Sequence, residues 1–311
     1  MKNQTNLIPV IPEVDKSLIR KELSSDRFVR KTNKLGNEVY IINHHNSPNT
    51  MLEIGRLREL SFRESGGGTG MEVDIDEYDT SDRCYQQMII YNPEEQEIVG
   101  GYRFIKCKDA YNEKTKEYEL STLHYFDFSQ EFIADYLPNT LELGRSWIQP
   151  KLQSSRSGVF ALDNLWDGLG AIMYHNPDID YLFGKVTMYP EYGRESRDAV
   201  IHFMNYYFPD KKNLVIPKKP LGFDFEKSHY KDVFQGKSYK DGHKSLNKFV
   251  RERKLNIPPL INSYMNLSET MKTFGTVLND DFGAVEETGI LITIKDLHEK
   301  VKERYVIVKK D

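Results

Sequence analysis

The sequence predicts an α/β (α+β) fold in which a central mixed sheet is flanked by helices. Three observations predict it. Short apolar runs typical of strands alternate along the chain with longer runs at helical spacing. The 311 residues are 39% apolar, which is enough to bury one sizeable core. An isolated glycine inside one strand-like run, NTLELGRSWIQP, is typical of a bulged strand.

The first half of the chain is expected to supply early helices and then the hairpin that starts the sheet. Apolar side chains at helical spacing predict the helices, and two apolar runs joined by NPEEQE predict the hairpin. In chain order these elements are helices over 15–31 and 51–63, hairpin strands over 87–91 and 98–106, a strand within 117–127, and a helix over 129–137.

The second half of the chain alternates between runs with helical spacing of apolar residues and short apolar runs typical of strands. GVFALDNLWDGLGAIMYHN has the length and apolar density of a buried helix. In chain order we expect helix 158–176, strand 181–188, helix 193–208, a helix near 240–254, strand 288–294, a short helix, and a last strand over 305–310.

Composition and charge exclude several classes of protein. The formal net charge of −4 argues against a general nucleic-acid binder. No run approaches the roughly 18 uninterrupted apolar residues of a membrane span, and the N-terminus resembles no targeting segment. We therefore expect a cytoplasmic protein that at most contacts the inner membrane peripherally. Cys84, Cys107 and the eight histidines lack the spacing of metal ligands, so no metal site is expected.

One segment departs from the acidic balance of the chain. Residues 209–254 hold 13 Lys and Arg against 6 Asp and Glu, a local charge of +7, so the remainder carries −11. Such a segment suits an acidic partner. A solvated lysine-rich surface is the alternative.

The run NTLELGRSWIQP (139–150) places charges where a strand should be apolar. Glu142 and Arg145 are residue types that are rarely buried unless they are paired or used. In a regular strand they would point to opposite faces, but a bulge at Gly144 turns the strand and can bring both to one side. A bulge also leaves a backbone N–H that can donate to an oxyanion. A structural Glu–Arg pair is the alternative.

The loop after this strand has the composition of a phosphate site. QPKLQSSRSG (149–158) supplies Lys151, Arg156 and three serines directly before a helix, whose N-terminal N–H groups favour anions. A strand, a bulge, a polar loop and a buried helix in this order suit a phosphate-bearing thioester carrier. A solvated connector explains the same composition.

Three aspartates lie close together in MEVDIDEYDTSD (71–82). Asp74, Asp76 and Asp79 resemble part of a calcium loop, but the ligands and glycine required at its later positions are missing. The cluster suits either a cationic substrate amine or arginine partners such as Arg58 and Arg103.

Four motifs, in this order, resemble the autoinducer-synthase-like branch of the GNAT acyltransferases. They are RLRELSF (56–62), DIDEYD (74–79), VGGYRF (99–104) and ELGRSWI (142–148). The acyl-homoserine-lactone synthases of that branch carry an Arg-x-x-x-Phe, an acidic-x-Asp-x-x-Asp, a Gly-x-x-Arg and a Glu-x-x-Arg. The matching residues here are Arg58 with Phe62; Asp74, Asp76 and Asp79; Gly100 with Arg103; and Glu142 with Arg145.

A closer resemblance, over about residues 50–300, is to the ornithine-lipid and glycine-lipid N-acyltransferases, often labelled hemolysin-like. ELGRSWIQP, LWDGLGAIM, DYLFGKVTM and DFGAVEETGILI look like that arm, particularly like its versions in Bacteroidetes. The resemblance implies a GNAT-like acyl-CoA N-acyltransferase fold. It also implies transfer of a (3-hydroxy)fatty acyl chain from a thioester to glycine or ornithine, the first step of amino-acid lipid synthesis.

This hypothesis assigns roles to the motif residues. Glu142 would remove a proton from the ammonium group of the acceptor, and Arg145 would orient Glu142. Backbone N–H groups at the Gly144 bulge would stabilise the oxyanion. The expected catalytic residues are Glu142, Arg145, Asp76, Asp79 and Arg103, and the expected substrate-binding residues are Arg58, Phe62, Asp74, Gly144 and Trp147. Candidates for the acyl slot are Phe104, Trp147, Trp166, Met173 and Phe183, although aromatics at such spacings are more often core.

The donor is expected to bind through its phosphopantetheine arm at Gln149, Lys151, Ser154, Ser155 and Arg156. GNAT acetyltransferases carry a Gln/Arg-x-x-Gly-x-Gly/Ala loop, whose central glycines QPKLQSSRSG lacks. We therefore expect acyl carrier protein rather than acyl-CoA as the donor, with no permanently bound cofactor. The basic segment 209–254 would attract the acidic carrier protein.

Two other functions stay open at this point. A lactone signal made from S-adenosylmethionine is the alternative on the same fold, although DFGAVEETGILI favours the lipid arm. The hemolysin label suggests a non-enzymatic membrane-lytic protein, although the sequence lacks the amphipathic or spanning segments that it needs.

Three regions are expected along the chain. Residues 1–45 would form an N-terminal helical extension and residues 46–210 the GNAT-like acyltransferase core. Residues 211–311 would supply the basic segment and the C-terminal strands that complete the acceptor and acyl site.

Overall fold

The computed structural model describes residues 7–153 and 156–306, and its central feature is one large sheet. In chain order the described strands are β1 (Phe28–Lys31), β2 (Glu38–Ile42), β3 (Gln86–Asn92), β4 (Glu97–Lys106), β5 (Tyr111–Asn112), β6 (Glu117–Tyr118), β7 (Phe126–Phe128), β8 (Thr140–Ile148), β9 (Tyr181–Met188), β10 (Val215–Pro217), β11 (Lys272–Asn279) and β12 (Val285–Thr293). Eight of them form the sheet in the order β1-β2-β3-β4-β8-β9-β12-β11.

Helices cover both faces of this sheet. In chain order the described α-helices are α1 (Lys16–Glu22), α2 (Pro48–Glu64), α3 (Glu77–Thr80), α4 (Pro150–Gln153), α5 (Arg156–His175), α6 (Arg194–Tyr207), α7 (Lys231–Phe234), α8 (Tyr239–Glu252), α9 (Pro259–Met265) and α10 (Glu299–Val301). Met51 and Ile54 of α2 pack with Ile89 of β3, whereas Leu169 of α5 packs in the cluster that contains Met88. Alternate residues of β3 therefore serve two cores, and the expected α/β fold is confirmed.

The sheet is mixed because of a single parallel pair. β8 runs parallel to β9, while its other neighbour, β4, and the remaining ladders of the sheet are antiparallel. A parallel pair needs a crossover, which here contains the long helix α5. The β8–β9 pairing runs from Thr140↔Tyr181 to Leu143↔Gly184 and ends there. Beyond this point the two strands no longer pair, and a cleft can form between them.

The first 45 residues are not the helical extension expected from the sequence. α1 ends at Glu22 rather than continuing to residue 31. Ser24 bonds the side chain of Asp26, and such local hydrogen bonds favour a turn over a helix. β1 and β2 follow, and β2 pairs along its length with β3, so this region extends the sheet.

Two other stretches also differ from expectation. In place of one strand within 117–127, β6 and β7 flank a 3₁₀ turn at Ser121–His124. In place of a helix over 129–137 there are π and 3₁₀ turns that end at Asn139, because Pro138 cannot continue a helix. Most of the strand expected over 305–310 lies outside the described residues, and Lys302–Val306 forms a π turn. The remaining expected helices and strands occur within a few residues of their predicted bounds.

Candidate active site

A cavity of about 290 Å³ opens where β8 and β9 separate. Residues 143–146 of β8 form one wall and residues 182–185 of β9 form another. Further lining side chains come from α2, the region of α9, the 3₁₀ turn Asp280–Phe282 and β12: Phe62, Pro258, Leu260, Tyr264, Phe282, Glu287, Ile290 and Ile292. The cavity therefore combines apolar walls with a few charged groups, as substrate sites do.

The strand β8 is bulged at this wall, as the sequence predicts. β4 pairs Gly101 with Trp147 and Arg103 with Gly144, so residues 145 and 146 of β8 lie opposite a single residue of β4. The left-handed conformation falls on Arg145, with φ of 47°, and not on Gly144. A Cβ on Gly144 would meet Arg103 at ordinary contact distances of 3.5 and 3.6 Å. The positive φ that a glycine in a bulge often adopts is therefore not found at Gly144.

Arg58 lies at the buried centre of a cluster of charged side chains. Arg58 Nε donates to Asp74 Oδ2 at 2.9 Å, and Arg58 Nη1 lies 3.2 Å from both oxygens of Asp79. All three side chains are fully buried. Burial opposes ionisation of Asp79, but Arg58 and Arg103 hold the pKa of its carboxyl well below the usual range.

Two more arginines connect this cluster to the cavity. Arg103 Nη1 lies 2.7 Å from Asp76, and Arg145 Nε lies 2.9 Å from Asp74 Oδ2. Both arginines line the cavity, whereas none of the three aspartates does. Burial disfavours the charged form of Asp74, but Arg145 and Arg58 keep the pKa of its carboxyl below the ordinary value.

This arrangement decides between the two interpretations of the acidic cluster. Three arginines and three aspartates form a network without net charge, so the aspartates have arginine partners. Their contribution to the cavity is to fix the guanidinium groups of Arg103 and Arg145 at its wall. The Arg145 guanidinium also lies 4.3 Å from the ring centroid of Phe282, a cation–π contact.

Glu142 is fully buried and does not itself line the cavity. Its Oε1 accepts hydrogen bonds from Tyr85 Oη at 2.6 Å and Ser121 Oγ at 2.7 Å, and its Oε2 accepts one from Thr122 Oγ1 at 2.5 Å. Arg145 binds aspartates instead, so the expectation that it orients Glu142 by direct contact is wrong. Ser121 does line the cavity and thus links Glu142 to it.

Of the aromatic side chains expected at the substrate site, some line the cavity and others lie in the core. Phe62 and Phe183 line the cavity, and Phe62 packs edge-on against Phe282 at 5.0 Å between ring centroids. Trp147 packs instead in the core cluster beneath α2, so its expected substrate contact is not found. Phe104, Trp166 and Met173 also belong to the core, which is the usual position of aromatic and methionine side chains at such spacings.

The residues expected to hold the donor phosphate are only partly described. Gln149 is buried with its side-chain Nε2 unpaired, and Lys151 forms an ion pair with Glu97. Both line a second cavity, of about 240 Å³, between α1, α2 and β4. Ser154 and Ser155 lie outside the described residues, and for Arg156 the description covers the backbone, at the start of α5.

Lys185 and Glu287 are cavity residues that sequence reasoning missed. Lys185 Nζ lies 2.6 Å from Glu287 Oε2, and the two side chains are 12% and 6% exposed. Burial lowers the pKa of Lys185, although the adjacent carboxylate opposes this effect. The available signal was the presence of charged residues inside two apolar strands, one in YLFGKVTM and two in VEETGILIT.

The described residues show neither a metal centre nor a membrane span. Within them, no group of three or more His, Cys, Asp or Glu side chains is arranged to hold a metal ion. None of the described helices is long and apolar enough to cross a bilayer.

Comparisons with known proteins agree with this geometry. The family model for the acetyltransferase (GNAT) domain matches residues 57–162. Glycine N(alpha)-acyltransferase of Bacteroides thetaiotaomicron is 48% identical over 300 residues, which cover 96% of this chain and 89% of that protein. The protein of the same name from Phocaeicola vulgatus is 47% identical over 96% of this chain and 92% of its own length. No solved structure gives a significant match.

The family follows from these matches together with the fold. The relatives are similar over nearly the whole chain, and the sheet separates at the bulged strand that lies within the matched domain. The chain belongs to the GNAT N-acyltransferases and is an acyltransferase.

Proposed function

We propose that this enzyme transfers a fatty acyl chain, 3-hydroxylated, from acyl carrier protein to the amino group of glycine. The product would be the first intermediate of an amino-acid lipid. The name of the relatives supports glycine as acceptor. The observation that carries the proposal is the cavity between β8 and β9, because its charged groups Arg145, Lys185 and Glu287 suit an amino acid while its aliphatic walls suit an acyl chain.

The reaction needs a neutral amine and a stabilised oxyanion. The amine nitrogen attacks the thioester carbon, and the resulting negative oxygen collapses to the amide as the thiolate leaves. Gly144, Arg145 and Ser146 of the bulge line the cavity, and their backbone N–H groups together with the guanidinium of Arg145 would stabilise this oxygen. Asp76 holds the guanidinium of Arg103, which would shape the part of the cavity that binds the acceptor.

Glu142 would act through Ser121 rather than directly. Its carboxylate fixes the Ser121 hydroxyl at the cavity wall, where it can hold or relay a proton of the acceptor. We expect Glu142→Gln and Ser121→Ala to lower kcat by roughly 10²-fold, the lower end of the range for acid–base assistance. Thr122→Val is the matched control, because Thr122 also bonds Glu142 but does not line the cavity. Steady-state kinetics of well-folded variants would reject the role if Ser121→Ala keeps full kcat.

The donor proposal rests on the helix α8. This helix buries Gly242, Leu246 and Val250 and carries basic side chains on its other face. The exposed basic residues are Lys240, Lys244, Lys248 and Arg251, which line a shallow depression of the surface. Such a row would attract an acidic carrier protein, whose pantetheine arm would meet the segment of Gln149, Lys151, Ser154, Ser155 and Arg156.

Reversing three charges on α8 tests this docking. We expect Lys240→Glu, Lys244→Glu and Lys248→Glu together to raise KM for acyl carrier protein about 10-fold, since steering commonly contributes at least this factor. The turnover at saturation should change much less. Raising the salt should weaken wild-type docking in the same way, because exposed charges are screened over about 8 Å at physiological ionic strength.

The control is an equal change of charge elsewhere on the surface. Lys31, Lys114 and Lys295 are exposed and lie on other elements, and their reversal should leave KM for the carrier protein unchanged. An unchanged KM in the α8 variant would contradict carrier docking. If the wild-type enzyme sediments with anionic vesicles and the α8 variant does not, the basic face of α8 is instead a membrane contact.

The proposed function as a whole is tested by lipid analysis of a host that expresses the chain. Mass spectrometry should detect N-acylglycine, and a host expressing Arg145→Met should lack it. Accumulation of N-acylornithine or of an acyl-homoserine lactone in its place would contradict the glycine assignment.

A further inference from the structure

Glu287 occupies a distinctive position in the cavity. Among the described residues that line the cavity, it is the one with a carboxylate. It lies on β12, next to β9, and its side chain is 6% exposed. Glu142 reaches the cavity through Ser121, and none of the three clustered aspartates lines the cavity, so Glu287 is the described carboxylate that a small substrate can touch there.

Lys185 provides the opposite charge beside it. Its ammonium group lies 2.6 Å from Glu287 Oε2 and 4.1 Å from the ring centroid of Tyr125. Asn279 Nδ2 donates to the same carboxylate at 3.2 Å, which fixes its orientation. A buried ion pair contributes little to stability on balance, because desolvation offsets the attraction. A pair that lines a cavity is therefore better explained by a ligand that it can bind.

We propose that Lys185 and Glu287 form the acceptor subsite, with Lys185 binding the α-carboxylate of the amino acid and Glu287 binding its ammonium group and accepting a proton. This inference rests on the proposed function. An amino acid is a zwitterion, so its two charges can exchange partners with the ion pair, and the complex buries no net charge. Arg145 is held by Asp74, which does not line the cavity, whereas the partner of Lys185 is Glu287, which lines the cavity and can bind the ammonium group of the acceptor instead.

The protons balance in this scheme. The ammonium group loses one proton to a Glu287 oxygen, and the free amine attacks the thioester carbon. When the carbon–sulfur bond breaks, the second proton of the nitrogen goes to the departing thiolate, relayed by the Ser121 hydroxyl that Glu142 holds at the cavity wall. The products are the amide, the carrier thiol and one proton, which Glu287 returns to solvent.

Three acceptors separate the two roles. Glycine needs both a carboxylate partner and a base; glycinamide lacks the carboxylate; aminooxyacetate keeps the carboxylate, but its amine is already neutral at pH 7. We expect Lys185→Met to raise KM for glycine about 10-fold while barely affecting glycinamide, as suits the loss of a charge-assisted hydrogen bond. We expect Glu287→Gln to lower kcat with glycine about 10²-fold. With aminooxyacetate, which needs no base, Glu287→Gln should keep most of the wild-type kcat.

Glu286→Gln is the matched control. Glu286 is the neighbour of Glu287 on β12, but it pairs with Arg194 and Arg197 and does not line the cavity. This variant can lose stability, but the ratio of kcat/KM for glycine and glycinamide should be unchanged. Thermal melts of all variants identify those that fold.

Two results would overturn the subsite. One is an equal loss with glycine and glycinamide in Lys185→Met, and the other is an equal loss with glycine and aminooxyacetate in Glu287→Gln. Failure of the proposed function is recognised from the wild-type enzyme, which would then not acylate glycine. In that case the same comparison is made with the amino acid that it does accept and the amide of that amino acid.

Discussion

Replacing Arg145 with methionine is expected to lower kcat/KM for N-acylation by about 10²- to 10³-fold, the scale for loss of one oxyanion donor. Arg145 sits at the bulge where β8 leaves β9, and its side chain lines the cavity. Asp74 and the ring of Phe282 hold its guanidinium in place, so the charge needs no reorganisation during the reaction. Methionine keeps most of the volume but removes the charge.

The control replaces an arginine that lies away from the cavity. Arg194 lies at the start of α6 with its side chain 61% exposed, and Arg194→Met should keep kcat/KM within about threefold of wild type, because exposed ion pairs contribute little. Initial rates with saturating and limiting donor separate kcat from KM. A folded Arg145→Met variant with wild-type kcat/KM would remove Arg145 from the reaction.

Replacing Arg58 with methionine is expected to lower the free energy of unfolding by about 3–5 kcal/mol, because it leaves one buried negative charge uncompensated. Arg58 bonds Asp74 and Asp79 at the centre of the neutral cluster, and all three side chains are fully buried. Without Arg58 the cluster carries one excess negative charge. Urea unfolding followed by circular dichroism measures the change.

A double variant tests whether the charge imbalance causes the loss of stability. The double variant Arg58→Met/Asp79→Asn restores equal numbers of positive and negative groups and should be more stable than Arg58→Met alone. Arg83→Met is the exposed control, and it should cost about 1 kcal/mol or less because Arg83 and Glu119 are both solvent-accessible. If the double variant is less stable than either single variant, the cluster is not held together by its charge balance.

The sequence predicts those parts of the site that depend on local patterns. The glycine within ELGRSWI indicates a bulge because few other roles suit a glycine inside a strand, and the bulge is present. The three aspartates in DIDEYD suit either a substrate amine or arginine partners such as Arg58 and Arg103, and the structure contains the arginine partners. The conformation within the bulge was not predictable, since either Gly144 or Arg145 can take the positive φ.

The missed features depend on contacts between distant segments. Lys185 and Glu287 meet because β12 inserts next to β9, and a single sequence carries no signal for that neighbour. Glu142 becomes enclosed because the 3₁₀ turn at Ser121–His124 brings hydroxyl groups to it, where the sequence suggested an ordinary strand. Strand β2 was missed as well, although its apolar run EVYII pairs fully with β3.

The most direct test of the account is an assay of the purified enzyme with 3-hydroxyacyl carrier protein and isotopically labelled glycine. Mass spectrometry should find labelled N-acylglycine in a one-to-one ratio with the released carrier thiol, and Arg145→Met should form both at least about 10²-fold more slowly. Parallel reactions contain ornithine or S-adenosylmethionine as acceptor, or acyl-CoA as donor, and should be slower. Labelled glycine that stays unacylated, while the enzyme releases thiol with one of the other acceptors, would contradict glycine as the acceptor.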